Sequence, residues 1–288
     1  MVRRELLLLC ALLLACSTAF RPPQWPASRH LPSIMQLHLS LAPPPFDVFP
    51  SYRVSNLATS VAFYENVLGM RRVGGAGDPK VAQLSFGGAG GNGVELTEDA
   101  AAVAKGTGDV FAGIGVTLPD AASIMRKAEQ FGGKIVRAFD EYGYGAAIIP
   151  DEDEMKVNAV RLGCVQDPDG YAIEVTEGIR AEPLRKVVLR VLDTEETVAF
   201  YSEHLGMHLL RRRSNVNSRP KHASICSFVS HETSELEGTM LELVYNFATE
   251  RLQVGAGVAH LGLSSKKVPA GARAQISTDP NGLSIVVF

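Results

Sequence analysis

Residues Arg53 to Val73 read RVSNLATSVAFYENVLGMRRV, and residues Arg190 to Leu210 read RVLDTEETVAFYSEHLGMHLL. The offset is 137 throughout, without a gap, and nine of the 21 positions are identical. Two shorter matches follow in the same order. GVELT (Gly93 to Thr97) pairs with MLELV (Met240 to Val244), and Asp167-Pro168-Asp169-Gly170 pairs with Asp279-Pro280-Asn281-Gly282. Ordered self-similarity of this kind makes the chain two homologous halves, joined near Gly178 to Leu184. Whatever one half folds into, the other must also fold into.

The halves share a local grammar. Tyr52-Arg53-Val54 reads as a short strand, and a helix is predicted from Leu57 to Leu68 with Gly69 as a left-handed cap. In the second half Asp193 and Glu196 form a capping-box pattern, and Gly206 ends the helix. Phe63 and Val67 fall on one helical face and are predicted core. The β-prone runs Val81 to Phe86 and Val94 to Thr97 follow. A further unit opens at Gly113-Ile114-Gly115-Val116. It continues with a helix over Asp120 to Phe131 and strands at Lys134 to Ala138, Val157 to Cys164 and Tyr171 to Thr176. Each half therefore reads as strand, helix and three strands, twice over, and the full plan is four modules of α+β type.

Composition bounds the rest. Hydrophobic residues make up 46% and charged residues 20% of the 288 positions, which excludes a disordered, collagen-like or polytopic membrane chain. The first residues read as an address. Arg3 and Arg4 precede the apolar run Leu6 to Ala15, which is too short to span a bilayer, and Ser17-Thr18-Ala19 supplies the small residues of a cleavage site. From Leu6 to Phe46 there is no Asp or Glu, while Arg, Ser and Pro recur. Residues 1–19 are expected to be a signal peptide and 20–46 a transit-peptide-like segment, similar to the two-part plastid address of algae with secondary plastids. Plain secretion is the alternative. The first 46 residues hold four of the 28 basic and one of the 31 acidic side chains, which leaves 24 and 30 in the remainder. That acidic balance gives no footprint for nucleic acid. With Cys10 and Cys16 removed, only Cys164 and Cys226 remain, so no disulfide framework is expected.

Arg-Val, then FY…LGM, then ELT, then DPDGY-x-x-E resemble the two-domain form of glyoxalase I (lactoylglutathione lyase), of the vicinal oxygen chelate superfamily. The resemblance covers nearly all of residues 49–288, with one glyoxalase-like domain over 47–178 and a second, shortened one over 185–288. It implies tandem βαβββ modules whose curled sheets form cups, with module 1 facing module 4 and module 2 facing module 3. It also implies isomerisation of the methylglyoxal–glutathione hemithioacetal to S-lactoylglutathione, with glutathione as co-substrate. Zinc or nickel would hold the enediolate and a glutamate would shuttle the proton, because a proton beside a carbonyl is too weakly acidic without both.

Carried over by residue, the ligand positions of modules 2 and 3 are Phe111, Glu174, Lys186 and Glu242, with Glu174 as the catalytic base. Those of modules 1 and 4 are Phe49, Glu95, His260 and Val286. The carboxylates Glu95, Glu174 and Glu242 and the imidazole His260 match the family; Phe49, Phe111, Lys186 and Val286 do not. No histidine occurs between His38 and His204, so no shifted alignment completes either set. Arg53, Arg190 and Asn246 match residues that contact glutathione, and Asp99 stands where Asn246 does in the other half. Surface salt bridging is the alternative for these. Lys186 is expected to relieve the repulsion between Glu174 and Glu242 as the lost metal would have done.

Module 4 is short: 54 residues separate Gly113 from Asp167, and 17 separate Gly262 from Asp279. A loss of that size removes a helix and at least one strand, leaving an edge that is open or covered by a partner protein or second copy. Arg211-Arg212-Arg213 reads as a solvated turn, and Asp151 to Glu154 as a solvent-facing loop. Two functions stand: a glyoxalase I-like enzyme of weak or lost activity, and a non-catalytic binding or interaction protein. A Lys186 bridged to both glutamates would favour the second.

Overall fold

The computed structural model describes residues 47–87, 91–142, 160–214, 223–247, 249–264, 266–268 and 277–288. The expected address (1–46) and the acidic run Asp151 to Glu154 lie outside the described residues.

The four modules follow one another along the chain. The first is β1 (Val48–Val54), α1 (Leu57–Asn66), β2 (Arg71–Gly74), β3 (Val81–Ser85) and β4 (Gly93–Glu98), followed by the single turn α2 (Ala100–Val103). The second is β5 (Phe111–Leu118), α3 (Ala121–Ala128), β6 (Lys134–Tyr142), β7 (Val160–Gln166) and β8 (Ala172–Glu177). The third is β9 (Leu184–Val191), α4 (Thr194–Leu205), β10 (His208–Ser214), β11 (Ser224–Ser230) and β12 (Met240–Asn246). The fourth keeps β13 (Val258–Leu263), β14 (Ser277–Thr278) and β15 (Ser284–Val287), and no helix among its described residues. The first strand starts at Val48, four residues before the run that the sequence marks, because its buried stretch continues through Phe49 and Ser51.

The helices start and stop for local reasons. Asn56 accepts the amide of Thr59 at the head of α1, and Asp193 accepts the amides of Glu195 and Glu196 at the head of α4. Gly69 at φ 77° and Gly206 at φ 71° turn the chain out. Helix α3 buries Ala121, Ile124, Met125 and Ala128, the i, i+3, i+4, i+7 stripe of its sequence.

Two sheets result, ordered β14-β15-β13-β1-β4-β3-β2 and β10-β11-β12-β9-β5-β8-β7-β6. Within a module the first and last strands pair in parallel: β1 with β4, β5 with β8, β9 with β12 and β13 with β15. Between modules the first strands pair antiparallel, β1 with β13 and β5 with β9. Sheet 1 therefore joins modules 1 and 4, and sheet 2 joins modules 2 and 3. Each half of the sequence contributes to both sheets. At the shortened end of sheet 1, β14 pairs with β15 through Ser277 and Thr278 among the described residues.

The arginine run is not a turn. Arg211, Arg212 and Arg213 lie within β10, which pairs with β11 through Phe228, Ser227 and Cys226. Arg212 bonds Glu195 at 2.6 Å, and Arg211 lies 3.8 Å over the Phe228 ring and pairs with Glu235. Their place on an extended strand gives the guanidinium groups of Arg211 and Arg212 partners that a solvated turn would not supply.

Two candidate metal positions

In sheet 2 the central strands bring Lys186, Glu174 and Glu242 together. Lys186 Nζ stands 2.7 Å from Glu174 Oε1 and 2.5 Å from Glu242 Oε2. Lys186 and Glu242 are buried, while the Glu174 side chain keeps 29% of its exposure and also pairs with Arg185. Burial alone would raise the Glu174 carboxyl. The Lys186 ammonium and the Arg185 guanidinium reverse that and hold it down at about 2. Burial would likewise depress the Lys186 ammonium, but Glu174 and Glu242 hold it above its ordinary value. Burial and Glu242 push the Cys226 thiol up to about 11, and burial with Glu174 raises Cys164, so neither is an activated thiolate.

In sheet 1 the corresponding place is apolar. Phe49 is buried, with its ring centroid 6.0 Å from that of His260 and 5.7 Å from that of Phe288. Glu95 is buried with both oxygens engaged, Ser51 Oγ donating to one at 3.0 Å and Gln83 Nε2 to the other at 3.0 Å. Val286 takes the place of Glu174, since each lies opposite a glycine of the neighbouring first strand, Gly262 and Gly115.

Strand register corrects one assignment. Phe49 pairs with Gly262 and Ser51 with His260, whereas Lys186 pairs with Gly115 and Val188 with Gly113. The equivalent of His260 in sheet 2 is therefore Gly113, not Phe111. Two arginine contacts agree. Arg53 Nη1 donates to Ala256 O at 2.7 Å, and Arg190 Nη1 donates to Asp109 O at 2.9 Å, each carbonyl lying four residues before the strand position in question, His260 or Gly113. Phe111 instead packs in an aromatic cluster, its ring centroid 5.2 Å from Tyr52 and 6.2 Å from Tyr171. The sequence spacing misleads because β5 holds two glycines, and the one that faces Glu174 as Gly262 faces Val286 is Gly115, not Gly113.

The two glycines have a shared purpose. A Cβ at Gly115 would stand 2.6 Å from Lys186 Cε, and one at Gly262 would stand 2.1 Å from Phe49 Cζ. In each sheet a long side chain crosses the first strand of the partner module, and only glycine leaves room for it. Sequence reasoning gave neither glycine a role at the site and did not name Arg185, although the shared G of GIGV and HLGL and the Arg185-Lys186 pair were legible signals.

Arg53 and Arg190 are occupied as backbone straps, with Arg53 also 3.8 Å from Asp99. Asp99 caps α2 through the amide of Ala102, and Asn246 ends β12 opposite Ser224. Arg190 and Asn246 lie farther along β9 and β12 from Lys186 and Glu242, while Arg53, in β1, and Asp99, just after β4, belong with sheet 1.

The glyoxalase/bleomycin resistance protein/dioxygenase superfamily model matches twice, over residues 47–175 and 184–285. The chain belongs to this superfamily. It is 28% identical over 223 residues to a lactoylglutathione lyase of Arabidopsis thaliana, covering 75% of this chain and 72% of that one. A lactoylglutathione lyase of Oryza sativa is 31% identical over 121 residues, 42% of this chain and 40% of that one. In structure it is similar to glyoxalase I from Zea mays, with a TM-score of 0.65 and 24% identity over 83% of this chain and 90% of that one, which establishes the shared fold.

A divalent metal, implied by this kinship, does not fit the residues present. In sheet 2 a protonated amine offers no lone pair, and Gly113 offers no side chain. In sheet 1 Phe49 and Val286 offer no donor, and both oxygens of Glu95 already accept hydrogen bonds. Among the described residues no group of three His, Cys, Asp or Glu side chains converges as a metal site would require.

Proposed function

We propose that this protein is a two-domain glyoxalase-family member that has given up metal-dependent lactoylglutathione lyase chemistry and serves as a non-catalytic binding protein. The observation that carries the reading is the Lys186 ammonium lying between Glu174 and Glu242 at 2.7 and 2.5 Å. It fills the place from which a Lewis acid would hold an enediolate. Glu174, held at about 2, is too weak a base to lift a proton beside a carbonyl. The retained ligand class, by kinship with lactoylglutathione lyases, is a glutathione adduct of a 2-oxoaldehyde, bound without turnover.

The deciding experiment follows S-lactoylglutathione formation from methylglyoxal and glutathione by residues 47–288, with zinc or nickel added and then removed by a chelator. The expected result is no rate above the metal-free background, with S-lactoylglutathione still binding in a calorimetric titration. A metal-dependent rate that Glu174→Gln abolishes would overturn the reading.

The plastid address is proposed on the acid-free, arginine-bearing composition of the first 46 residues after the initial turn of sequence. Residues 1–46 fused to a fluorescent protein should enter the plastid of an alga with secondary plastids; release into the medium would make the segment a secretion signal.

A further inference from the structure

The Lys186 centre has the geometry of a cation site whose cation is part of the chain. Three strands converge on it: β9 carries Lys186, β8 carries Glu174 and β12 carries Glu242. One oxygen from each carboxylate points at the same atom, at 2.7 and 2.5 Å. These are the lengths of short charge-assisted hydrogen bonds, both aimed at one point. Charge also balances, since Lys186 and Arg185 together offset Glu174 and Glu242. Gly115 supplies the clearance for the lysine stem. Sheet 1 fills the same register position with a phenyl ring, so the fold does not itself demand a cation there. The cation in sheet 2 is present because the two carboxylates are.

We propose that Lys186 Nζ is a built-in replacement for a divalent cation, and that removing its charge converts this position into a site for a hard divalent ion of the calcium or manganese class. This rests on the reading that the native protein works without metal. An ion entering the native site would have to expel an ammonium that is held in place by two carboxylates. With Lys186→Gln the point is vacated, the amide oxygen adds a third donor, and an all-oxygen set selects hard ions over zinc.

The test measures manganese binding to residues 47–288 by loss of the free-ion electron paramagnetic resonance signal, and thermal stability with and without calcium. Native protein is expected to bind no equivalent that Glu242→Gln removes, and calcium should leave its melting temperature unchanged. Lys186→Gln is expected to bind one equivalent, about tenfold tighter or more than native protein, and calcium should raise its melting temperature. The double variant Lys186→Gln, Glu242→Gln should fold and lose both effects. If Lys186→Gln is unfolded in chelator, refolding upon manganese or calcium addition is the same positive result. The proposal is overturned if native protein binds an equivalent that Glu242→Gln removes. It is also overturned if the double variant folds while Lys186→Gln neither binds manganese nor responds to calcium. The second outcome leaves the metal-independent reading standing. A chelator-resistant lyase rate in the native protein would overturn the non-catalytic reading and leave this proposal standing.

Discussion

Tyr64 donates its hydroxyl to Asp167 Oδ2 at 3.0 Å, and in the second half Tyr201 donates to Asp279 Oδ2 at 3.2 Å. The tyrosine of each VAFY block thus holds the aspartate of the DP-x-G turn that closes the module next to it in space. All four side chains are buried. The other oxygen of each aspartate ties its own turn, Asp167 accepting from Asp169 N and Tyr171 N, and Asp279 from Asn281 N and Leu283 N. Two sequence repeats far apart in the chain are in this way halves of one contact. Tyr64→Phe leaves a buried carboxylate oxygen short of a donor and should cost about 1–3 kcal/mol. Tyr201→Phe should cost a similar amount. Urea denaturation of the single variants reads both, and a loss below experimental error at either position would reduce that contact to a coincidence of packing.

Asp167 sets a pH dependence. Burial pushes its carboxyl up to about 7, against the hydrogen bonds from Tyr171 N and Tyr64 that favour the charged form. The folded state therefore holds a proton that the unfolded chain, with an ordinary aspartate near ~3.9, has already released. The sign is that stability from this group is present in full below about 4 and is lost as pH rises through 7, on the order of a few kcal/mol. Asp167→Asn keeps an acceptor for the turn amides and removes the titration. The difference in unfolding free energy between native and variant protein should move in favour of the variant from pH 5 to pH 8. A difference that stays flat over that range would contradict the assignment.

Gly115→Ala tests the crossing of Lys186 over β5. The added methyl would meet Lys186 Cε at 2.6 Å and Cγ at 2.7 Å. Relief requires the lysine stem to move, and that pulls Nζ away from Glu174 and Glu242. The expected destabilisation is about 1–3 kcal/mol, plus whatever the loosened ion pairs lose. Gly262→Ala should be at least as harmful, because the atom it meets is a rigid ring carbon of Phe49, 2.1 Å away. Melting temperatures of the two variants settle the order, and a neutral Gly115→Ala would mean that the lysine reaches the carboxylates by another path.

Much of this architecture is legible in residue patterns. The repeat predicts two equivalent halves, the capping residues Asp193, Gly69 and Gly206 predict helix ends, and the gap between Gly262 and Asp279 predicts the stripped fourth module. The bridge from Lys186 to both glutamates follows from module pairing and residue type. Legibility fails where one residue of register decides the answer. Spacing counted from Gly113 makes Phe111 the equivalent of His260, whereas the pairing of Gly115 with Glu174, as Gly262 pairs with Val286, gives that place to Gly113. It fails also for long side chains that cross strands, because Arg185 and Gly115 act through reach and clearance, which no periodicity records.

Arg53 and Arg190 provide the last test, since kinship makes them glutathione contacts and the structure makes them straps. Arg53 Nη1 donates to Ala256 O at 2.7 Å and its amide to Gly257 O at 2.6 Å; Arg190 Nη1 donates to Asp109 O at 2.9 Å and its amide to Val110 O at 2.7 Å. Each fastens the segment that enters the first strand of the partner module. Replacing either guanidinium by an isosteric apolar chain, Arg53→Met or Arg190→Met, leaves those carbonyls without a charged donor and should cost about 1.5–3 kcal/mol. Arg53, the more enclosed by Asp99 and two carbonyls, should lose more. If strapping is the main role, affinity for S-lactoylglutathione, followed by calorimetry well below the melting temperature, should change less than about twofold. A large drop in affinity with unchanged stability would assign the arginines to the ligand instead.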